Sequence, residues 1–149
     1  MSAFTGRDVA VEFAIGLETD NPAGLTFKNL GMMRTKQFDV EWATTDTTAD
    51  DSPDFTETKL VTFKNVSFTG DGVSYEDAVY NQAELEAHVF SPGSGTLNQP
   101  KVWLKITFPD AIFQGPFIIS KWGKGASYNE AVTWSMEAMS NGQITRTAA

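Results

Sequence analysis

The residues able to do chemistry are few, and their spacing suits none of the common reactions. His88 is the single histidine of the 149 residues. Among apolar neighbours, a lone histidine is more often packed or surface-exposed than catalytic. Cysteine is absent, which excludes disulfides, thiolate catalysis and zinc–thiolate sites. No Gly-x-Ser-x-Gly elbow occurs. Gly123-Lys124-Gly125-Ala126-Ser127 lacks the earlier glycine of a phosphate loop and reads as a hairpin turn. Asp46, Asp50, Asp51 and Asp54 offer hard oxygen ligands, but not at the alternating spacing of a calcium loop with its turn glycine. A glycosidase needs two carboxyl groups about 5–9 Å apart, and no pair here is singled out for that. Four tryptophans raise the question of a sugar-stacking platform. Trp42 and Trp134 fall on alternating apolar faces, which assigns both to the core. The expectation is no catalytic residue, no metal and no cofactor.

Charge patterning is more informative. Between Lys36 and Lys59 lie Asp39, Glu41, Asp46, Asp50, Asp51, Asp54 and Glu57, without one basic residue. The stretch opens as an alternating strand, Lys36 to Trp42. Successive side chains point to opposite sides, so Phe38, Val40 and Trp42 share one face and Gln37, Asp39 and Glu41 the other. It continues as a polar loop, Thr44 to Asp54. The net charge of −8 opposes tight binding to phosphate backbones and to anionic membranes. From Lys101 to Lys124 the balance inverts, with Lys101, Lys105, Lys121 and Lys124 against Asp110 alone. Acidic and basic segments on one small chain favour head-to-tail self-association; an ordinary solvated surface is the plainer alternative.

Period-two alternation dominates the elements that hold these residues. Val9, Val11, Phe13 and Ile15 form one face of a first strand. Asn21-Pro22-Ala23-Gly24 is a turn, and Leu25 to Phe27 a short strand. The acidic strand spans about Met33 to Thr44. Glu57 to Phe68 is its antiparallel partner, with a bulge near Lys64-Asn65 where the alternation slips. Ser74 caps one helix, with Asp77 three residues on and Ala78, Leu85 and Val89 along one side. Ser91-Pro92-Gly93-Ser94-Gly95 ends it; Leu85 to Phe90 also fits an extended segment. Three strands follow: Val102 to Phe108, Phe117 to Trp122 and Val132 to Ala138. This pattern predicts a mainly β fold, a two-sheet β-sandwich or distorted barrel with one packed α-helix, as a single domain over residues 1–149. Met1 to Gly16 lacks a signal-peptide pattern, and no apolar run approaches the ~20 residues of a membrane helix.

Several segments, in order, are similar to those of a known family. Phe38-Asp39-Val40-Glu41-Trp42-Ala43-Thr44-Thr45-Asp46-Thr47-Thr48 resembles the strand-into-loop segment of major tail tube proteins from long-tailed, non-contractile bacteriophages. Phe68-Thr69-Gly70-Asp71-Gly72-Val73 before a helix resembles the next segment. Phe113-Gln114-Gly115-Pro116-Phe117-Ile118-Ile119-Ser120, then Tyr128 to Ser135, then Ser140-Asn141-Gly142 resemble its closing pattern. The resemblance covers about residues 30 to 142.

It implies a tail-tube-like fold and a structural role in the virion tail, assembled in the host bacterial cytoplasm. Such subunits form six-membered rings that stack into a tube, each giving about four strands to an inner β-barrel. About 24 strands at ~4.8 Å spacing make a wall roughly 37 Å across its backbone. Implied partners are further copies of the chain, a tape-measure protein, and tail terminator and tip proteins. DNA would pass through without specific binding, and no membrane is involved. Gln37, Asp39 and Glu41 become candidates to line the lumen, as an acidic wall without Lys or Arg to trap phosphates. The loop carrying Asp46, Thr47, Thr48, Asp50, Asp51 and Asp54 is expected to reach an adjacent subunit or ring. Lys101, Lys105, Lys121 and Lys124 are its candidate countercharge. Met1 to Asp8 and Thr145 to Ala149 are docking arms or frayed ends. Two other readings compete. One is a carbohydrate-binding or adhesin-type β-sandwich module with Trp103 or Trp122 exposed on a platform. The other is a carboxylate hydrolase.

Overall fold

A computed structural model of the chain describes residues 3, 5–31, 33–47, 49, 56–75 and 78–148. Eight strands, β1 (Ala10–Ile15), β2 (Lys28–Asn29), β3 (Met33–Asp46), β4 (Lys59–Val73), β5 (Lys101–Thr107), β6 (Ala111–Gly125), β7 (Thr133–Ser140) and β8 (Thr145–Ala148), accompany one α-helix, α1 (Gln82–Phe90). The strands form one antiparallel sheet in the order β2-β1-β5-β6-β7-β4-β3, with β8 also on β6.

The 15-residue β6 is the spine. Its first part pairs β5 from Ile112 to Ile118, and its last part pairs β7 from Phe117 to Gly125. The sheet thus has two halves, β2-β1-β5 and β7-β4-β3, joined through β6. This gives the expected mainly β architecture with one helix, as a single bent sheet. Val11, Phe13, Val102, Leu104 and Ile106 from one half meet Phe68, Trp134, Met136 and Ala138 from the other, all nearly inaccessible to water. Burying one such side chain is worth about 1.5–3 kcal/mol.

Helix α1 closes the core with Leu85 and His88. His88 is a packed residue, its Nε2 3.0 Å from the Lys101 carbonyl oxygen. The helix starts at Gln82 rather than at Ser74. Asn81 has φ 59°, a left-handed conformation that ends the preceding 3₁₀ turn (Ala78–Tyr80), and its side chain donates to the Asn29 carbonyl at 2.8 Å. The Gln82 amide is buried and fully used. It accepts from Tyr75 N at 2.9 Å and donates to the Gly31 and Val73 carbonyls at 2.9 and 3.0 Å. Asp77 lies outside the described residues. Leu85 to Phe90 is helical, not extended.

Other boundaries also move. The short strand falls at Lys28–Asn29, not at Leu25 to Phe27. Phe117 to Trp122 is only the middle of β6. Gly123 to Gly125 belongs to that strand, and the turn comes at Ser127 to Glu130. The β3–β4 bulge sits at Thr62-Phe63, just before the expected place, because Trp42 pairs Lys64 while Thr44 pairs Val61. Both ends are held. Lys36 Nζ donates to the Val9 carbonyl at 2.6 Å, fixing the N-terminal turn, and Thr145–Ala148 pairs Gln114 to Ala111.

Candidate functional site

In the half formed by β6, β7, β4 and β3, cross-strand register defines two faces. One carries Phe38, Phe68, Ala138 and Ile119 toward the core and α1. The other is mainly polar. Gln37, Thr69, Glu137 and Lys121 form one row across all four strands. Asp39 with Ser67 and the half-exposed Met139, Glu41 with Asn65, and Thr35 with Asp71 and Ser135 form the rows beside it. The three lumen candidates therefore do share one exposed face with each other. That face is not free of cations. Lys121 stands opposite Glu137, and Arg34, at a register shift, borders a shallow cleft with Asp71 and Lys121. Four carboxylates (Asp39, Glu41, Asp71, Glu137) still outnumber them.

Both margins of this four-stranded unit are open. Among the described residues β3 pairs only β4. On the far side β5 pairing stops at Ile118, and after the Ile119 N bond to the Pro100 carbonyl the outer edge of Ser120 to Gly125 has no strand partner among the described residues. Unpaired edges are templates for pairing with another chain.

The β3–β4 hairpin runs past the body. Every residue of β3 from Asp39 on, and of β4 from Lys59 to Lys64, is exposed. Val40 (49%), Trp42 (53%) and Phe63 (79%) are open to solvent, with Leu60 and Val61 beside them. Val40 and Trp42 thus overturn their assignment to the core; only Phe38 of that apolar face is packed, against Phe113 and Phe108. Lys64 covers Trp42 at 5.7 Å. Ile15 is likewise exposed rather than buried. Thr47 N donates to the Thr58 carbonyl at 2.9 Å, and Asp46 pairs Lys59, so both loop candidates extend the arm. Thr48, Asp50, Asp51 and Asp54 lie outside the described residues. At the opposite end of the same strands Tyr75, Val79, Tyr128 and Val132 are exposed. That patch escaped the sequence reading, although an aromatic at the tip of the polar turn Ser127-Tyr128-Asn129-Glu130 is a usable signal.

The lysines are dispersed. Lys101 pairs Glu18 at 3.2 Å and Lys124 pairs Glu86 at 2.9 Å. Lys105 lies between Glu12 and Gln114 in the other half of the sheet. Backbone hydrogen bonding first, and then the Lys101 ammonium, hold the Glu18 carboxyl below the usual range. Burial lowers the Lys36 ammonium. Neither Trp103 nor Trp122 forms an exposed platform. Trp103 is buried and donates to the Leu17 carbonyl at 2.7 Å, and Trp122 stacks on Trp134 at 5.1 Å. Among the described residues no cluster of three acids or histidines is placed to hold a metal, and no helix is long and apolar enough to cross a membrane.

Among the described residues this arrangement is a mainly polar sheet open at both margins, with an exposed apolar arm at one end. A family profile described as "Phage tail tube protein" matches residues 3–146, and the chain belongs to that family. It is a structural subunit of a phage-type tail. The fold is similar to that of a chain from the tail of an empty gene transfer agent particle, refined helically in C6 symmetry. That match has TM-score 0.75 and 21% identity, over 98% of this chain and 100% of that one. A chain of the SPP1 tail tube matches with TM-score 0.62 and 13% identity, over 99% and 80%. One from the tube-terminating cap of the anti-feeding prophage matches with TM-score 0.64 and 8% identity, over 100% and 93%. None of the curated proteins compared with the chain matches it.

Proposed function

We propose that six copies close into a ring by pairing the β3 margin of each with the β6 margin of the next, and that the polar face of β6, β7, β4 and β3 lines the resulting channel. One observation carries this: the four-stranded unit is the part of the sheet with polar side chains on one face, core on the other and both margins unpaired. Closing the ring satisfies the backbone groups on those margins and removes every exposed edge of the unit.

Rings then stack through the hairpin. The side of the hairpin that carries Val40 and Trp42 continues the core face of the sheet, so in a tube it turns away from the channel and must be covered by protein. The exposed Tyr75, Tyr128 and Val132 at the other end of the strands supply a matching surface on the next ring. The loop with Asp50, Asp51 and Asp54 extends this contact. The channel wall carries more carboxylates than cations and repels DNA phosphates, so the genome passes without being held. A tape-measure protein fills it during assembly in the host cytoplasm, and terminator and tip proteins close its ends. The role is structural rather than enzymatic.

Cryo-electron microscopy of the purified chain left to polymerise tests this reading. Hollow tubes with Asp39 and Glu41 on the inner wall are expected. Strict monomers at every concentration, or those carboxylates on the outer surface, refute it.

A further inference from the structure

We infer that the seam between neighbouring copies in the ring is closed on the channel side by an ion pair between Lys121 of one copy and Asp39 of the next. The inference rests on the ring reading above and adds the group that fixes the register of the two margins. The margins are opposite in charge on that side. From Thr35 to Glu41, β3 presents Thr35, Gln37, Asp39 and Glu41, with acids only. From Lys121 to Gly125, β6 presents Lys121, Gly123 and Gly125, with a single charge, and that positive. The two glycines leave nothing to obstruct an approaching strand.

Register gives the distance. Lys121, Glu137, Thr69 and Gln37 form one row within a copy. A second copy set beside it at the same height places its Lys121 opposite Gln37 and diagonal to Asp39. Diagonal cross-strand neighbours lie about 7–8 Å apart, within reach of a long side chain. A slide of two residues toward the arm, a stagger of the kind barrel closure requires, puts Lys121 directly opposite Asp39. A slide of one residue is forbidden, because it would turn the polar side of one margin against the core side of the other.

The two groups are prepared for each other. Gln37 Nε2 donates to Asp39 Oδ2 at 3.0 Å, which orients the carboxylate and leaves its second oxygen to accept from a further donor. The ion pairs among the described residues use Lys28, Lys101 and Lys124; Lys121 enters none of them. Its sheet neighbour Glu137 offsets part of its charge within the copy. A lysine on the wall of a DNA channel is otherwise a liability, since it would retain phosphate. Pairing with the neighbour's Asp39 removes that liability and leaves the wall net negative.

Charge exchange tests this, read as the concentration at which tubes sediment in low salt. Lys121→Glu and Asp39→Lys should each raise that concentration at least tenfold. The double exchange should return it to within about threefold of wild type. Both side chains are exposed, so far-UV circular dichroism of the monomers should be unchanged. The cysteine-free chain permits a second readout. Tubes of the Asp39→Cys, Lys121→Cys double variant, treated with a short bis-maleimide, should give a ladder of covalent oligomers, and either single variant should give none. Single reversals that assemble like wild type, a double exchange without rescue, or intact tubes without a ladder overturn the seam and leave the ring reading standing. A wild-type chain that never forms rings overturns both.

Discussion

The exposed arm makes a demand that the isolated chain cannot meet, and its removal has a calculable cost. The perturbation is the double substitution Val40→Ser, Trp42→Ser. In the monomer these side chains are 49% and 53% exposed, so little packing is lost. Surface changes of this kind stay within about 0.5 kcal/mol. For a domain of this size that is a shift in melting temperature of roughly 2 °C or less. Complete burial of a large apolar side chain is worth about 1.5–3 kcal/mol, and both are already half covered. Covering the rest in a stacked ring contributes about 2 kcal/mol per subunit, and each 1.4 kcal/mol is a factor of ten. The concentration needed for assembly should rise roughly thirtyfold, measured by sedimentation beside thermal unfolding of the monomer. Assembly at the wild-type concentration, or a melting temperature lowered by 5 °C or more, would refute the reasoning.

Further outcomes follow from the packing and the polar contacts. Gln82→Leu abolishes three hydrogen bonds to Tyr75, Gly31 and Val73 and should cost about 2–4 kcal/mol by urea denaturation, whereas Glu84→Ala, breaking the exposed pair with Lys28, should cost under about 1 kcal/mol. Trp134→Ala empties the centre of the core and the stack with Trp122, at about 3–5 kcal/mol in the same assay. A side chain at Gly115 meets Ile144 and the Gln143 backbone, so Gly115→Ala should cost about 1–3 kcal/mol and speed amide exchange at Thr145 to Ala148. Glu18 titrates below its ordinary range, so its contribution is present above that range and is lost as pH falls through the lowered value; Glu18→Gln should flatten the acid limb of stability against pH.

Alternation made β1, β3, β5 and β7 legible; β7 shows why, with Trp134, Met136 and Ala138 on the core and Ser135 and Glu137 exposed between them. The same rule misassigned Val40 and Trp42, since a period of two reports a face and not what covers it. In β6 the run Gln114-Gly115-Pro116 reads as a break. It survives as strand because Pro116 pairs Trp103 and its carbonyl accepts from Asn141 N at 2.9 Å. Thr145–Ala148 has no apolar face and so no sequence signal; its place comes from an available edge on β6. The helix start was masked by Ser74, a plausible cap, while the deciding residues were Asn81 and Gln82. Of the candidate site, the acidic face of β3 was visible from spacing. Lys121 was a candidate countercharge to the loop, but its place on that face, opposite Glu137, was not visible, because only the strand order β6-β7-β4-β3 brings it there.

The unit with two open margins contains four strands, an even number, and each runs against its neighbour. Its outermost strands therefore point in opposite directions, so a copy laid alongside prolongs the up-and-down alternation without a parallel junction. That holds for any number of copies. Strand polarity consequently has no vote in how many subunits a closed layer contains; the decision falls to curvature and twist, and changes at the register shifts beside Arg34 and Ser120, or at Gly70, are where the bore of the assembly would be altered.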